Sequence, residues 1–418
     1  MSGDNDSFTE VTSTGWFSRI GNSFKGIGAG LVLIALATGL MYWNEGRAVR
    51  TGDAIAEAEL ATEALPDISK VDSAFNGKTV YATGRAVTED ELTDGTFGVK
   101  AKAISLRRKV EYYQWVEEKK TEKKKKLGGG EETVTTYSYV KKWVGSPVNS
   151  QSFKRSAGHE NTTNIQAENA TLYASNVPFG GYRLPDFLIR SISGERALNL
   201  SFTEEQCAEL QKAFFPRGQM TSDLGKYVGM RVGEMLDGAA SLVHAQGNTL
   251  YFGRLPNNPK VGDVRVSFFE VPPADISIIA KINGDTFVPF LASNGNKFSK
   301  LSMGTHDMGT MFADAKSSNQ TMTWILRVVG VLLCIGGFKA VVAPLQVIAD
   351  VVPLFGNIVG AGTGLVAGLI GLAWSFVVIA IAWIRFRPVL GACLLGAALL
   401  LIVLLFLKGK KRKAVQAA

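Results

Sequence analysis

The chain has 418 residues, of which 46% are hydrophobic and 20% charged, and its formal net charge is +8. Most charges lie between Glu45 and Lys316, whereas nearly continuous apolar segments fill the last hundred positions. This partition predicts a soluble domain attached to a membrane and excludes a uniformly water-soluble chain. The positive excess comes from a lysine cluster at 119–126 and from the tail KGKKRK, so no nucleic-acid partner is expected.

The first apolar run covers residues 27–43 and carries no charge. At about 1.5 Å per residue it is close to the shortest helix that crosses a bilayer, and Tyr42 and Trp43 suit the headgroup layer at its end. We therefore predict a first transmembrane helix at 27–43 after an N-terminal tail at 1–26. A signal peptide cleaved after AIA at 54–56 is the alternative, but polar residues separate that site from the apolar run.

Residues 44–321 are predicted to form one large β-rich α+β domain. Aromatic and branched residues dominate its segments, as in KTVYATGRAV and TVTTYSYVKKWVG, and this composition is typical of strands. The lysine cluster at 119–126 is predicted to be a flexible, solvated hairpin tip, with contact to anionic lipid as the alternative. Thr203 and Gln206 match a capping box and predict a helix.

Three more membrane spans are predicted towards the C-terminus, which makes four in total. They are separated by short polar or proline-containing segments, and a basic tail follows the last one. Between the second and third spans, a segment bounded by prolines is predicted to lie in the membrane interface. The predicted ranges are 322–342, 343–356 (interfacial), 357–383, 388–407 and 408–418 (tail).

The basic residues predict the orientation of the spans. Arg19 and Lys25 precede the first span and five basic residues follow the last, so both termini are expected on the cytoplasmic side. The domain would then lie on the lumenal or extracytoplasmic side. Arg385 and Arg387, in the loop between the third and fourth spans, are the exceptions.

Charged residues at the junctions between spans and domain are the candidate site residues. Those on one membrane face are expected to form ion pairs or to bind lipid headgroups, and separate extension of each side chain into the headgroup layer is the alternative. These residues are Glu45, Arg47, Arg50, Arg327, Arg385 and Arg387.

A glycine stripe in the third predicted span is the candidate helix-packing surface. Gly360, Gly364 and Gly368 recur every four residues, which places them on one helical face where another helix can approach. The alternative is that these glycines recur by chance in a glycine-rich chain.

No catalytic, cofactor-binding or metal-ligating group is predicted. His159, His244 and His306 stand apart in the sequence, no cysteine pair has zinc-ligand spacing, and the soluble part has no G-x-S-x-G motif. We therefore expect a protein that is not an enzyme and has no cofactor.

Six sequence blocks resemble the LUMA family, also called transmembrane protein 43: WNEGRAVRT, FGVKAKAISLRRKVEYYQWVEE, PKVGDVRVSF, GDTFVPF, TWILRVVG and WIRFRPVLG. The resemblance implies four spans and a large lumenal or extracytoplasmic domain. It also implies an organiser of the endoplasmic reticulum and nuclear envelope in animals, which associates with itself and with envelope proteins. Bacterial relatives would place the chain in the cytoplasmic membrane.

The resulting hypothesis is a non-enzymatic membrane scaffold that self-associates and holds a β-rich domain at the bilayer surface. A lipid-binding or lipid- or solute-handling membrane protein is the alternative, because the interfacial segment adjoins a glycine-rich span. No ionisable residue lies near the middle of any predicted span, which argues against an ion pathway.

Overall fold

The computed structural model describes residues 7–215 and 241–391. Within them lie five α-helices: α1 (Trp16–Ala61), α2 (Asp186–Ile189), α3 (Glu204–Phe214), α4 (Met308–Ala349) and α5 (Pro353–Phe386). The strands of the same residues are β1 (Ser7–Thr14), β2 (Thr62–Ala64), β3 (Thr79–Ala86), β4 (Glu91–Thr93), β5 (Lys100–Lys102), β6 (Ser105–Lys125), β7 (Glu131–Val144), β8 (Ala170–Tyr173), β9 (Pro178–Phe179), β10 (Tyr182–Arg183), β11 (Arg196–Ala197), β12 (Val243–Gln246), β13 (Thr249–Phe252), β14 (Val264–Val271), β15 (Ala274–Asn283), β16 (Thr286–Val288), β17 (Phe290–Leu291), β18 (Lys297–Phe298) and β19 (Lys300–Met303).

Three helices of the described residues are long and apolar enough to cross a membrane: α1, α4 and the part of α5 from Gly356 to Phe386. They contain the predicted spans at 27–43, 322–342 and 357–383, and they pack against one another. Both α1 and α4 run beyond the apolar segments into the domain. From residue 392 onwards the predicted fourth span, 388–407, lies outside the described residues, as does the tail at 408–418.

The predicted interfacial segment at 343–356 is not a separate element. Helix α4 continues through Pro344 to Ala349, and a short turn leads to α5, in which Pro353 occupies the first turn. Proline is favoured at a helix start, and a proline inside an apolar helix is tolerated where neighbouring helices cover it. The first proline therefore does not end the helix, whereas the second one begins the next helix.

Two sheets make up most of the described part of the domain. The first has the order β1-β7-β6-β14-β13-β12, with β11 on β14 and β8 on β6. The second has the order β19-β15-β16-β10-β9-β3-β2, and β15 also pairs with β3. The pairs β17–β18 and β4–β5 form small hairpins. The predicted helix after Thr203 is present as α3, with its capping box formed.

The lysine cluster at 119–126 is mainly strand, and the prediction of a flexible loop there was wrong. Strand β6 continues to Lys125 and pairs with β7 along its whole outer half. Acidic residues on β7 face the lysines, with Lys123 3.1 Å from Glu131, and such opposite charges stabilise cross-strand pairs. Strand β1, from the predicted N-terminal tail, pairs with β7 on the other side. We call β1 and the outer half of this hairpin (residues 117–137) the arm.

Strand β15 connects the domain core to the membrane helices. Side chains alternate between the two faces of a strand, so neighbouring residues point in opposite directions. Ile278 belongs to the hydrophobic core of the second sheet, whereas Ile279 packs against Ile55 of α1 and Phe312 of α4. All four side chains are buried. The domain ends of α1 and α4 are therefore packed onto the sheet.

Candidate functional site

A buried acid joins the three membrane helices immediately after the apolar run of α1. Glu45 has no exposed surface, and its carboxylate accepts hydrogen bonds from Nε and Nη2 of Arg327 in α4, at 2.6 and 2.8 Å. The indole N–H of Trp383 in α5 donates a third bond at 2.8 Å. A buried charge is costly unless it is paired and hydrogen-bonded, and here both conditions hold. The three hydrogen bonds fix the orientation of this carboxylate and link α1 to α4 and α5.

A second polar group lies beside this ion pair and involves only α1 and α4. The Arg47 guanidinium donates to Asn319 Oδ1 at 3.0 Å, to Thr323 Oγ1 at 2.9 Å and to Asn44 Oδ1 at 3.2 Å. Asn44, which is fully buried, donates in turn to the Thr323 carbonyl at 3.0 Å. All these partners are neutral, so they hold the guanidinium in place without neutralising its charge.

Gly46, between the two polar groups, allows α5 to approach α1. A Cβ atom at this position would lie 2.7 Å from the ring of Phe386, closer than such atoms pack. Phe386 also contacts Tyr42, with ring centroids 5.3 Å apart. In the sequence NEGR, each residue therefore has a separate structural role. We call Asn44, Glu45, Arg47, Asn319, Thr323, Arg327 and Trp383 the junction cluster.

The other predicted junction charges lie around this cluster. The guanidinium of Arg385 lies 5.8 Å from the ring of Phe386, and that of Arg387 lies 5.9 Å from the ring of Trp383. Within the part of the chain that the structure describes, neither of them nor Arg50 has a carboxylate within salt-bridge distance. Glu45 thus pairs with Arg327 of α4 rather than with an arginine of its own helix or with Arg385 or Arg387.

Among the described residues, one glycine of the predicted stripe of α5 makes a close contact. A Cβ on Gly360 would lie 2.6 Å from the side chain of Gln346 in α4, so α4 and α5 pack closely there. Gly364 and Gly368 have nothing within 4 Å among the described residues. Packing of the whole stripe against another helix stays a prediction.

A glycine contact that the sequence did not predict brings the backbones of α1 and α4 together. A Cβ on Gly30 would lie 2.7 Å from the Gly337 carbonyl oxygen, and one on Gly337 would lie 2.8 Å from the Gly30 carbonyl oxygen. Small residues permit such backbone contact between membrane helices. The sequence signal was available, because both positions are glycines in apolar runs, but nothing in either run identified the other as its partner.

A second buried acid lies at the opposite end of the helices. Asp350, in the turn between α4 and α5, has no exposed surface. Its carboxylate accepts from Lys125 Nζ at 2.7 Å and from Arg19 Nη2 at 2.6 Å, and the indole of Trp16 donates to the nearby Val347 carbonyl at 2.9 Å. Two cations on one carboxylate offset the cost of burying it. We call Arg19, Lys125 and Asp350 the distal cluster.

The distal cluster joins segments that the sequence analysis assigns to opposite membrane faces. Arg19 is in the predicted cytoplasmic tail, and Asp350 is in the predicted interfacial segment beside it, whereas Lys125 is in the domain. The backbone contributes as well, because the N–H of Gly128 donates to the Val351 carbonyl at 2.9 Å. No local pattern indicates this contact, since it depends on how far the arm extends.

The described residues contain no group of three or more His, Cys, Asp or Glu side chains that could hold a metal ion. The rings of His159, His244 and His306 each contact a backbone carbonyl oxygen of a residue near them in sequence. The three histidines therefore have local structural contacts in separate parts of the fold.

Comparisons with known proteins agree with the sequence blocks quoted above. The family model described as transmembrane protein 43 matches residues 112–388. The curated relatives include transmembrane protein 43 of Pongo abelii, 28% identical over 93% of this chain and 91% of the relative, and that of Homo sapiens, 27% identical over the same shares. The Drosophila melanogaster homologue is 27% identical over 88% of this chain and 90% of its own. No solved structure matches.

Proposed function

Because this chain belongs to the transmembrane protein 43 family, we propose that it is a non-enzymatic, multi-pass membrane scaffold that self-associates and holds its β-rich domain at the membrane surface. The junction cluster is the observation that carries this proposal. One buried carboxylate with three hydrogen bonds connects all three described membrane helices at the point where the domain begins. Such an arrangement suits a fixed mechanical connection.

The way in which the helices enter the domain supports the same role. Helices α1 and α4 are continuous from their apolar segments to the buried contacts of Ile55 and Phe312 with Ile279. An exposed segment of Ser293 and Asn294 is also bound to α1, where Glu57 accepts from the Ser293 N–H at 2.9 Å. A domain attached in this way keeps its orientation relative to the bilayer, which an organiser of membrane proteins requires.

The finer placement belongs to the proposal as well. It comprises four spans, with the fourth at 388–407, both termini in the cytoplasm and the domain on the lumenal or extracytoplasmic side. In a eukaryote the site would be the endoplasmic reticulum and inner nuclear membrane, and in a bacterium the cytoplasmic membrane. The expected partners are the lipid bilayer, further copies of the chain and other membrane or envelope proteins, without nucleic acid.

Self-association can be measured on the full chain in a mild detergent. Light scattering, corrected for detergent, is expected to give a protein mass of two or more chains. The proposed contact between copies uses the face of α5 that carries Gly364 and Gly368, where a Cβ atom meets nothing within 4 Å among the described residues. The paired substitution Gly364→Leu and Gly368→Leu adds bulk to this face and is therefore expected to lower that mass. Gly336→Leu on α4, where a Cβ also meets nothing there, is the matched control. A monomer at every protein concentration, in detergent and in nanodiscs, would reject the scaffold proposal.

A further inference from the structure

A cavity of about 280 Å³ lies where α1 leaves its apolar run and meets the β17–β18 hairpin. Three cationic side chains line it: Arg47 and Arg50 from α1, and Lys297 from β18. Trp43 and Phe298 supply aromatic surface, and no acidic residue belongs to the lining. The cavity therefore combines concentrated positive charge with apolar walls.

Within the described chain, no carboxylate forms a salt bridge with the three cations of this cavity. Glu45, the acid closest to Arg47 in sequence, is paired with Arg327, and the hydrogen-bond partners of Arg47 are neutral. Neither Arg50 nor Lys297 has a carboxylate within 4 Å among residues 7–215 and 241–391. Three cations around one space repel one another, so an anion bound between them would relieve that repulsion.

The walls of the cavity are fixed by contacts on both sides. Hydrogen bonds to Asn319 and Thr323 hold the Arg47 guanidinium. On the other wall, Asn294 donates to the backbone carbonyl of Arg50 at 2.7 Å and so attaches the β17–β18 turn to α1. Binding between preformed walls loses less conformational freedom than binding to mobile side chains.

The position of the cavity indicates which anion it would meet. Trp43 ends the uncharged run at 27–43, and tryptophan in such a position lies at the headgroup level of a bilayer. We propose that the cavity binds the phosphate group of an anionic phospholipid, with Arg47, Arg50 and Lys297 around the phosphate and Trp43 beside the glycerol and upper acyl chains. A soluble phosphate ester offers the same charged group, but it would not use the apolar surface.

This inference goes beyond the proposed scaffold role and requires only that α1 is in the membrane. Native mass spectrometry of the full chain in mild detergent tests it, with phosphatidic acid, phosphatidylglycerol or phosphatidylcholine added. Arg50 and Lys297 are both exposed, and their double replacement by alanine is expected to weaken binding of the two anionic lipids about 25-fold, since each cation near an anionic headgroup contributes about fivefold. Lys70→Ala with Lys300→Ala, which removes the same charge outside the cavity, is the matched control.

Equal weakening by both double variants, or equal retention of phosphatidylcholine and the anionic lipids, would overturn the proposal. Glycerol 3-phosphate, added alone, distinguishes a lipid from a soluble source of the phosphate group: binding as tight as that of phosphatidic acid would exclude the lipid and assign the cavity to a soluble phosphate ester.

A photoreactive phosphatidic acid gives a readout on the unmodified chain, and its cross-links are expected within 43–54 or 296–298. Cross-links only elsewhere would also reject the site. The mass of the assembly is measured separately, so this result and the scaffold result can fail independently.

Discussion

Replacement of Glu45 by alanine tests the role of the junction cluster directly. The variant leaves Arg327, whose side chain is 12% exposed, without its acid, and leaves the indole N–H of Trp383 without its acceptor. Removing one partner of a buried ion pair costs about 3–5 kcal/mol, because the remaining charge stays buried and unpaired. We therefore expect Glu45→Ala to lower the free energy of unfolding by about this amount and to loosen the contact of α5 with α1 and α4.

The same pair also allows a double-variant test. Replacing both members by apolar residues of similar volume, as in Glu45→Leu with Arg327→Met, leaves no unpaired charge. The indole N–H of Trp383 still loses its acceptor, so the double variant is expected to cost about 1–3 kcal/mol, less than the single variant. Chemical and thermal unfolding in one detergent, followed by tryptophan fluorescence, compare the single and double variants.

The exposed pair of Lys78 and Glu63 is the control for this test. Its side chains are 45% and 53% exposed, and Glu63→Ala is expected to cost about 0–1 kcal/mol. A cost for Glu45→Ala no larger than for Glu63→Ala, or a double variant as unstable as the sum of its two single changes, would show that the buried ion pair does not hold the three helices together.

Three further predictions concern contacts elsewhere in the chain. Gly337→Ala is expected to lower the free energy of unfolding by about 1–3 kcal/mol in thermal melts, because its methyl carbon would lie 2.8 Å from a carbonyl oxygen of α1, whereas Gly336→Ala has open space. Asp350→Ala removes the ion pair that Lys125 of the arm makes with Asp350, so trypsin is expected to cleave at lysines 123–126 about tenfold faster. Asp285→Ala, which removes an exposed ion pair elsewhere, is the control and is expected to leave this rate unchanged. Burial raises the pKa of the Asp263 carboxyl, so the native state binds the carboxyl proton more tightly than the unfolded chain does. The free energy of unfolding is therefore expected to fall as the pH rises from about 4, where the unfolded carboxyl titrates, through the raised pKa of the native state. Asp263→Asn is expected to flatten that pH dependence in melts.

Each of these predictions has a result that would contradict it. Equal melting of the two glycine variants would show that α1 and α4 do not approach closely at Gly337. An unchanged cleavage rate in Asp350→Ala would show that the distal cluster does not hold the arm. A stability curve of Asp263→Asn parallel to that of the unchanged chain would mean that this carboxyl titrates alike in the folded and unfolded states.

The parts of the fold with strong local signals could be predicted from the sequence. Apolar runs revealed α1, α4 and α5, and branched and aromatic residues revealed the β-rich domain. The change from apolar to charged residues identified Glu45 and Arg47 as junction residues. Their partners could not be identified, because Arg327 lies 282 positions from Glu45 and Asn319 lies 272 positions from Arg47. Pairing over such distances depends on the packing of whole helices.

The lysine cluster shows why composition alone misled the prediction. A run of lysines followed by glycines is typical of a solvated loop. Here Glu131 and Glu132 on β7 face the run, with Lys126 bound to Glu132, and β1 covers the other edge of β7. The strand is stabilised by residues that follow the turn and by a segment a hundred positions earlier. Neither contribution is visible within the run itself.

The distal cluster is difficult to reconcile with the predicted two-sided topology, in which residues 1–26 and 44–321 lie on opposite faces of the bilayer. Arg19 and Glu45 are 26 positions apart on α1, which corresponds to about 39 Å and is enough to cross the hydrocarbon core. Lys125 belongs to the domain but contacts Asp350 beside Arg19, so a bilayer between Arg19 and Glu45 would also have to contain the arm. Residues 118–124 of β6 are all exposed, and polar strands occur at that depth only where protein or water shields them.

For one copy surrounded by lipid, the arm contact and the placement of 1–26 and 44–321 on opposite faces therefore exclude each other. In an assembly whose arms lie inside, away from lipid, both can hold, which connects the topology to the proposed self-association. A membrane-impermeant maleimide on sealed vesicles distinguishes these cases in a background without other reactive cysteines. We expect Ser13→Cys and Thr93→Cys, both at exposed positions, to be labelled from opposite sides. Labelling of both from one side would show that α1 does not cross the bilayer between the arm and the domain, and the two-sided topology would be wrong.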